Sequence, residues 1–261
     1  MADRPQIDER AVVHPDARIG DGSFIGPFCV IGAEVVIGEN CRLESHVSVP
    51  GPVEMGADNV VSPMASIGGA PQDLKYHGEH TRLVIGRGNR IHEYVTLNRG
   101  TEGGGGVTRI GDENLFMAYS HVGHDSQVGS KTIFANAATL AGHVEVGDEA
   151  NIGAFCGVHQ FCRVARFAFI GGYSVITQDA LPCVLSVGNR AKSYGLNVVG
   201  LKRRGYPKET ISALKRCYRQ LFRSGKRLEE ALDQVEAELG HVEEVRYFIE
   251  FVRSSKRGVV R

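Results

Sequence analysis

Apolar side chains recur every six residues along most of the chain. From Val13 the positions Ile19, Ile25, Ile31, Ile37, Leu43, Val49, Met55, Val61 and Ile67 hold one phase, which returns at Ile85, Ile91 and Leu97. The phase then slips by one residue and resumes at Ile110, Phe116, Val122, Val128, Phe134, Leu140, Val146, Ile152, Val158, Val164, Ile170 and Ile176. Ten hexads, then three, then twelve make 25 in all, a phase that an amphipathic helix could not hold because its side chains repeat every 3.6 residues.

Glycine very often follows the apolar residue, as at Gly20, Gly26, Gly32 and Gly38 and again at Gly123, Gly129, Gly147, Gly153 and Gly171. Glycine at a fixed phase predicts a recurring bend where a side chain would crowd or its φ would be wrong. Period six with apolar then glycine is the hexapeptide signature of a parallel β-helix. Three short strands make a coil of 18 residues, and coils stack about 4.8 Å apart. The predicted fold is an all-β parallel β-helix over residues 1–190, of roughly eight coils, followed by a small α-helical domain over 191–261. In the hexapeptide families that this pattern resembles the helix is left-handed, against the usual right-handed crossover.

Two interruptions predict loops, near 69–84 and 98–109. Between Ile67 and Ile85 the 18-residue phase survives, but its apolar positions would fall on Asp73 and Glu79. The polar stretch "QDLKYHGEH" therefore loops out. Between Leu97 and Ile110 the run "RGTEGGGG" reads as an exposed, mobile loop. Loops on a rigid scaffold are common places for binding groups. Past "QDALPCVLSVGN" the repeat stops. "YPKETISALKRCYRQLFRSG" then predicts a helix with Pro207 in its first turn and Gly225 as its stop, and "KRLEEALDQVEAELG" and "VEEVRYFIEFVRSS" predict two more.

Composition narrows the function classes. No apolar run approaches the 18 residues of a membrane span, and the charged, proline-broken first twenty residues do not read as a signal peptide. A cytoplasmic protein is expected. The six cysteines form no CxxC pair and read as reduced packing thiols. Net charge is zero, yet residues 1–190 hold 14 basic and 21 acidic side chains and residues 191–261 hold 16 and 9. Residues 191–227 alone carry 11 basic groups against one acid, Glu209, so this segment predicts contact with an anion: a nucleotide, a nucleic acid or an acidic protein.

The repeat also predicts where histidines gather. His143 lies 19 residues after His124, and His159 lies 35 after it, one short of two coils. The three are expected to form a column along one side of the prism, about 5 Å per step, with His121 at its foot. Neither the core nor the bends require histidine at these phases. Histidine titrates near neutrality and is the usual general base. There is no GxSxG elbow, no Walker loop and no GxGxxG after a strand. A metal is the rival reading, since the gamma-class carbonic anhydrases, also hexapeptide proteins, bind zinc through three histidines across a subunit interface. Two of those histidines are five apart, whereas His121 and His124 are three apart and His77 and His80 fall in the predicted loop, so neither metal nor cofactor is expected.

"QDLKY" at 72–76, "HVGHDSQVG" at 121–129, "NAATLAGHVEVGD" at 136–148, "VHQFCRV" at 158–164 and "GLKRRG" at 200–205 resemble, together and over essentially the whole chain, the UDP-N-acetylglucosamine acyltransferases of lipid A biosynthesis in Gram-negative bacteria. The resemblance implies a homotrimer of left-handed β-helices with active sites between subunits. It implies transfer of an (R)-3-hydroxyacyl group from acyl carrier protein to the glucosamine 3-hydroxyl of UDP-N-acetylglucosamine, with no nucleic-acid partner. His124 matches the catalytic base, and Asp125 a residue that orients or polarises it. Adjacent strand residues face opposite ways, so that pairing needs a local bend.

Gly142 matches the backbone N–H expected to hold the oxyanion. Asp73, Lys75, His121, His143, His159 and Gln160 match substrate-binding positions, with His143 at the sugar 3-position. Asn197, Arg203 and Arg204 match the uridine-diphosphate contacts, a role that suits the arginine fork. Gly172 matches the acyl-chain ruler, where glycine leaves room for a long chain, and the nearby Phe169 is bulky enough to counteract it. Val199 departs from the family, which has a nucleotide-contacting glutamate there. The basic 191–227 segment is left with two uses, holding diphosphate and docking the acidic carrier protein. Two alternatives stay open: the related N-acyltransferase of the same pathway, which adds an N-terminal uridine-binding domain before the hexads, and a non-catalytic hexapeptide scaffold.

Overall fold

A computed structural model describes residues 4–261. Its first part winds as a left-handed parallel β-helix of triangular section. Strands of two to four residues pair in parallel with their counterparts one coil away, and the register repeats the hexad phase: Val122 pairs with Leu97 on one side and Leu140 on the other. In chain order, the first face of the prism carries strands such as Leu115–Phe116, the second carries His121–Val122 between Thr96–Asn98 and Thr139–Leu140, and the third carries Gln127–Val128. Winding begins one hexad earlier than Val13, at Gln6–Ile7.

The hexad residues point inward. Ile25, Leu43, Ile67, Leu97, Phe116, Val122, Phe134, Leu140 and Ile152 are fully buried in one continuous core. Burial of apolar area at about 25 cal/mol per Å² is the term that drives this stacking. Crowding explains the glycine phase, and Gly68, at φ 79°, is one position where the backbone conformation also calls for glycine. A Cβ on Gly20 would lie 2.5 Å from the backbone of Gly38, and one on Gly153 would lie 2.6 Å from Gly172 N. The left-handed φ falls two residues later, on side-chain-bearing residues such as Phe28, Asn40, Asp125, His143 and Phe155. The alternative expectation, that glycine is there for its φ, is thus corrected for the rest of the phase.

Residues 70–81 leave the prism between Ser66–Gly69 and Arg82–Ile85, as the displaced phase predicts. After the last coil the chain does not pass straight to helices. Val184–Val187 and Lys192–Leu196 form an antiparallel hairpin, and a short helix α1 (Val198–Arg203) follows. Then come α2 (Lys208–Phe222), α3 (Leu228–Leu239) and α4 (Glu243–Arg253). Pro207 caps α2 from just outside, rather than within, its first turn. The helices bury Leu214, Leu232, Val245 and Phe248 in a second core, which reaches the prism through Ala165, Leu181 and Val184.

Candidate active site

The site is built at the edge between the second and third faces. Past Val122 the chain must turn, and Gly123 lets it pass the coil above, where a Cβ would lie 2.7 Å from the Ala141 carbonyl carbon. Asp125 then takes φ 60°, a conformation that aspartate tolerates better than most residues. This left-handed step is the local bend that the pairing required. It swings the carboxylate back to its neighbour, so that His124 Nδ1 lies 2.8 Å from Asp125 Oδ2. The Asp125 N–H donates to Thr108 Oγ1 at 2.8 Å, which pins the turn to the coil below.

The carboxylate is sealed from outside. The Thr101 N–H donates to Asp125 Oδ1 at 2.8 Å and the Thr101 hydroxyl to Oδ2 at 2.6 Å. The Asp125 side chain is 1% exposed and that of His124 15%. The glycine loop therefore lies against the site at Gly100, Thr101 and Gly104, and only its rim, Glu102, Gly103 and Gly105, is exposed. The expectation of a wholly exposed, mobile loop overlooked this contact, because Thr101 and Asp125 are 24 residues apart and share no hexad phase.

A cavity of about 580 Å³ opens beside the dyad, lined by His121, His124, Gly142, His159 and Gln160 together with Gln72, Asn98, Thr139 and Gly157. A Cβ on Gly142 would overlap the His124 ring, 2.5 Å from Cε1 and 2.6 Å from Nε2, so glycine there admits the imidazole. The Gly142 N–H makes no hydrogen bond among the described residues. His121 Nδ1 is 2.6 Å from Thr96 Oγ1. Burial, and then the nearby His124, hold the His121 imidazole below its ordinary pKa. His159 Nδ1 lies 3.1 Å from the Gln160 carbonyl.

The predicted column is only partly realised. His124, His143 and His159 occupy three different phases of the coil, since Gly142 rather than His143 stands above His124. His143 meets the His124 ring edge-on at 5.1 Å, stacks on Phe161 at 4.6 Å, and has Nε2 3.7 Å from Asp125 Oδ2. It flanks the dyad and does not line the cavity. Offsets of 19 and 35 residues, one past a single coil and one short of two, turn side chains to different sides of a corner.

Other candidate residues are not among those lining the cavity. Asp73 and Lys75 are on the 70–81 loop, where Asp73 Oδ1 accepts from the Lys75 N–H at 3.0 Å. Asn197 caps α1 by accepting from Gly200 N–H. Arg204 is engaged with Glu149 on the edge between the third and first faces, and Arg203 and Val199 are exposed on α1. Phe169 lies on the first face and Gly172 is exposed at the edge between the first and second faces. One copy of the chain brings together His121, His124, Asp125, Gly142, His159 and Gln160, with His143 alongside, and leaves Asn197, Arg203, Arg204 and Gly172 on other edges.

A histidine whose Nδ1–H donates to a buried carboxylate presents the Nε2 lone pair as a base. His124, Asp125 and His143 also place donor atoms within 4.8 Å of one another, close enough to hold a metal ion. Asp125 Oδ2, however, already accepts from both Thr101 and His124, and a cation bound there would displace the imidazole N–H that joins the pair. The donor set fits a hydrogen-bonded dyad better. The residues missed from sequence are Thr101, Thr108, Thr96, Asn98 and Gln72; the only hint at Thr101 was its place beside four glycines.

Residues 179–260 match the family described as UDP N-acetylglucosamine O-acyltransferase, domain 2, and residues 1–33 match the bacterial transferase hexapeptide family. Over 256 residues, 98% of this chain and 99% of the relative, the sequence is 47% identical to an acyl-[acyl-carrier-protein]–UDP-N-acetylglucosamine O-acyltransferase of Thermodesulfovibrio yellowstonii. The fold matches the solved LpxA of Acinetobacter baumannii with a TM-score of 0.95 at 41% identity, covering 98% of this chain and 99% of that one. It matches the UDP-N-acetylglucosamine O-acyltransferase of Moraxella catarrhalis equally well, with a TM-score of 0.95 at 42% identity and the same coverage.

Proposed function

The chain belongs to the UDP-N-acetylglucosamine O-acyltransferase family, and on that premise we propose that His124 is the general base of its acyl transfer. The enzyme moves an (R)-3-hydroxyacyl group from acyl carrier protein to the glucosamine 3-hydroxyl of UDP-N-acetylglucosamine, the first step of lipid A biosynthesis. The observation that supports the base most directly is the His124 ring, tied through Nδ1 to Asp125 and facing the cavity beside an unused Gly142 N–H.

His124 Nε2 removes the proton of the sugar 3-hydroxyl as its oxygen attacks the thioester carbonyl. The Gly142 N–H receives the negative charge that develops on the carbonyl oxygen. Collapse of the tetrahedral intermediate breaks the C–S bond, and the proton on His124 passes to the departing thiolate. The new C–O bond replaces the C–S bond, and the base returns to its starting state. Asp125 stabilises the imidazolium formed between the two proton transfers. His121, His159 and Gln160 contact the substrates in the cavity, with Asp73 and Lys75 reaching them from the loop. His143 senses the sugar 3-position from the flank.

A second copy of the chain completes the site. Asn197, Arg203 and Arg204, the residues for the uridine diphosphate, lie on a different edge from His124, which supports a trimer with sites between neighbours. Gly172 and Phe169 would set acyl length at that same boundary. Exposed stacked aromatics, Tyr94 on Tyr119 at 4.9 Å and Phe155 on Tyr173 at 5.1 Å, run along the edge between the first and second faces and suit burial against another copy. Lys208, Lys215 and Arg219 on α2, and Arg223 just past its end, are exposed without ion pairs among the described residues and suit an acidic carrier protein. No helix among the described residues is long and apolar enough to cross a membrane. All six cysteines are free, as a reducing, cytoplasmic compartment would keep them.

Purified protein should convert UDP-N-acetylglucosamine and a 3-hydroxyacyl carrier protein into the 3-O-acyl product. A panel of chain lengths reports the reach set at Gly172. Acylation only of an amine acceptor, with UDP-N-acetylglucosamine left unreacted, would favour the N-acyltransferase reading and overturn this one.

A further inference from the structure

Two adjacent glycines in the 100–106 loop have opposite surroundings. A Cβ on Gly104 would lie 2.1 Å from the Asp125 carboxyl carbon and 2.3 Å from each of its oxygens, while a Cβ on Gly103 would meet nothing within 4 Å. Gly100 is similarly tight, its Cβ falling 2.8 Å from Asp125 Oδ1. The loop is thus pressed onto one particular carboxylate. Between these glycines Thr101 makes two hydrogen bonds to that carboxylate, one from the backbone and one from the side chain. Its hydroxyl in turn accepts from the Gly104 N–H at 3.2 Å. That acceptance orients the hydroxyl proton toward Asp125. A directed chain results, from Gly104 N–H to Thr101 Oγ1–H to Asp125 Oδ2, where the His124 Nδ1–H converges from the other side.

We infer that Thr101 is a positioning residue for the reaction, with Gly104 as the backbone contact that lets it dock. It acts on the base through Asp125. By occupying one lone pair of Oδ2 and the facing lone pair of Oδ1, it leaves the carboxylate one orientation in which to receive the imidazole N–H. Without the threonine hydroxyl, the carboxylate loses one of its three protein donors and can rotate away from His124. The imidazole then shares its proton between Nδ1 and Nε2, and the fraction of His124 presenting an Nε2 lone pair falls. Thr101 reaches neither substrate nor the reacting atoms, so substrate affinity is unaffected. This inference rests on the assignment of His124 as the base.

The test uses Thr101→Val, Thr101→Ser, Gly103→Ala and Gly104→Ala in the full chain, with His124→Ala alongside. Thr101→Val should lower kcat by about tenfold to a hundredfold, the span of one lost hydrogen bond to a charged group, with KM for both substrates unchanged. Thr101→Ser restores the hydroxyl and should restore kcat. Gly104→Ala should lower kcat at least as far as Thr101→Val, and Gly103→Ala should match wild type. The nitrogen-15 signals of His124 supply a readout that loop folding alone would not move: a proton held on Nδ1 in wild type and Thr101→Ser, and one shared between the ring nitrogens in Thr101→Val. Wild-type kcat and an unchanged His124 tautomer in Thr101→Val, with His124→Ala inactive, would overturn the role of Thr101 alone. An active His124→Ala would overturn the base reading beneath it.

Discussion

Replacing Asp125 with asparagine keeps the shape of the site and reverses one hydrogen-bonding face. In the native chain Oδ2 accepts from His124 Nδ1 at 2.8 Å and from Thr101 Oγ1 at 2.6 Å, and Oδ1 accepts from the Thr101 N–H at 2.8 Å. An amide offers one acceptor and one donor group. With its NH2 toward the Thr101 backbone, two donors face each other in a site where the side chain is 1% exposed. With its NH2 toward His124, the imidazole must accept at Nδ1, and its proton moves to Nε2, where the base should be. An orphaned buried donor costs about 1–3 kcal/mol, which in a chain of this size lowers Tm by roughly 2–12 °C. Loss of general-base function costs about 10²–10⁴ in rate. Initial rates of thiol release from acyl carrier protein, with UDP-N-acetylglucosamine varied, separate the terms. The expected result is a fall in kcat of at least about 10² with KM little changed. An Asp125→Asn chain with wild-type kcat, or one that loses activity only through KM, would refute the dyad.

Three further outcomes test the frame around the site. Phe134→Ala removes a fully buried ring packed at a tilt against Phe116, centroids 4.8 Å apart, and should cost about 3–5 kcal/mol in urea unfolding; a loss under about 1 kcal/mol would mean the coil core is not the stabilising element. All six cysteines are buried, and burial pushes the Cys183 and Cys217 thiols up to about 12, so alkylating reagents should label the native protein negligibly near neutrality and all six only after unfolding. His121 is held below its ordinary pKa by burial, so as pH falls below about 6.5 the unfolded chain takes up a proton that the folded one refuses. Stability should therefore fall with pH below that value by up to about 1.4 kcal/mol per unit more than in His121→Gln, and be indifferent to this group above it. Parallel stability curves for the two proteins would contradict the burial effect.

The period of six made most of the β-helix legible, because each coil repeats one packing problem and answers it with the same residue types. The hexad phase placed Val122 and Leu140 in the core and marked His124 as unneeded there. Helices α2 to α4 were legible from their apolar spacing. The hairpin 184–196 and α1 were not, since "PCVLSVGN" leaves the hexad phase without entering a helical one, and pairing in a single hairpin has no periodicity to read. In the site, the residue types of the dyad were visible, but its geometry depends on a left-handed turn at Asp125 that a strand pattern does not encode. Thr101 escaped notice because its contact is long-range and its hydroxyl looks like any loop threonine. Arg204 and Gly172 were singled out only through family resemblance, and within one chain they stand on edges away from His124.

The most direct test of the central claim is the turnover number of His124→Gln, a folded chain with saturating carrier-protein thioester and UDP-N-acetylglucosamine. If His124 is the general base, kcat falls by at least about 10² while both substrates still bind. Turnover within a few-fold of wild type would mean that a group other than His124 removes the proton.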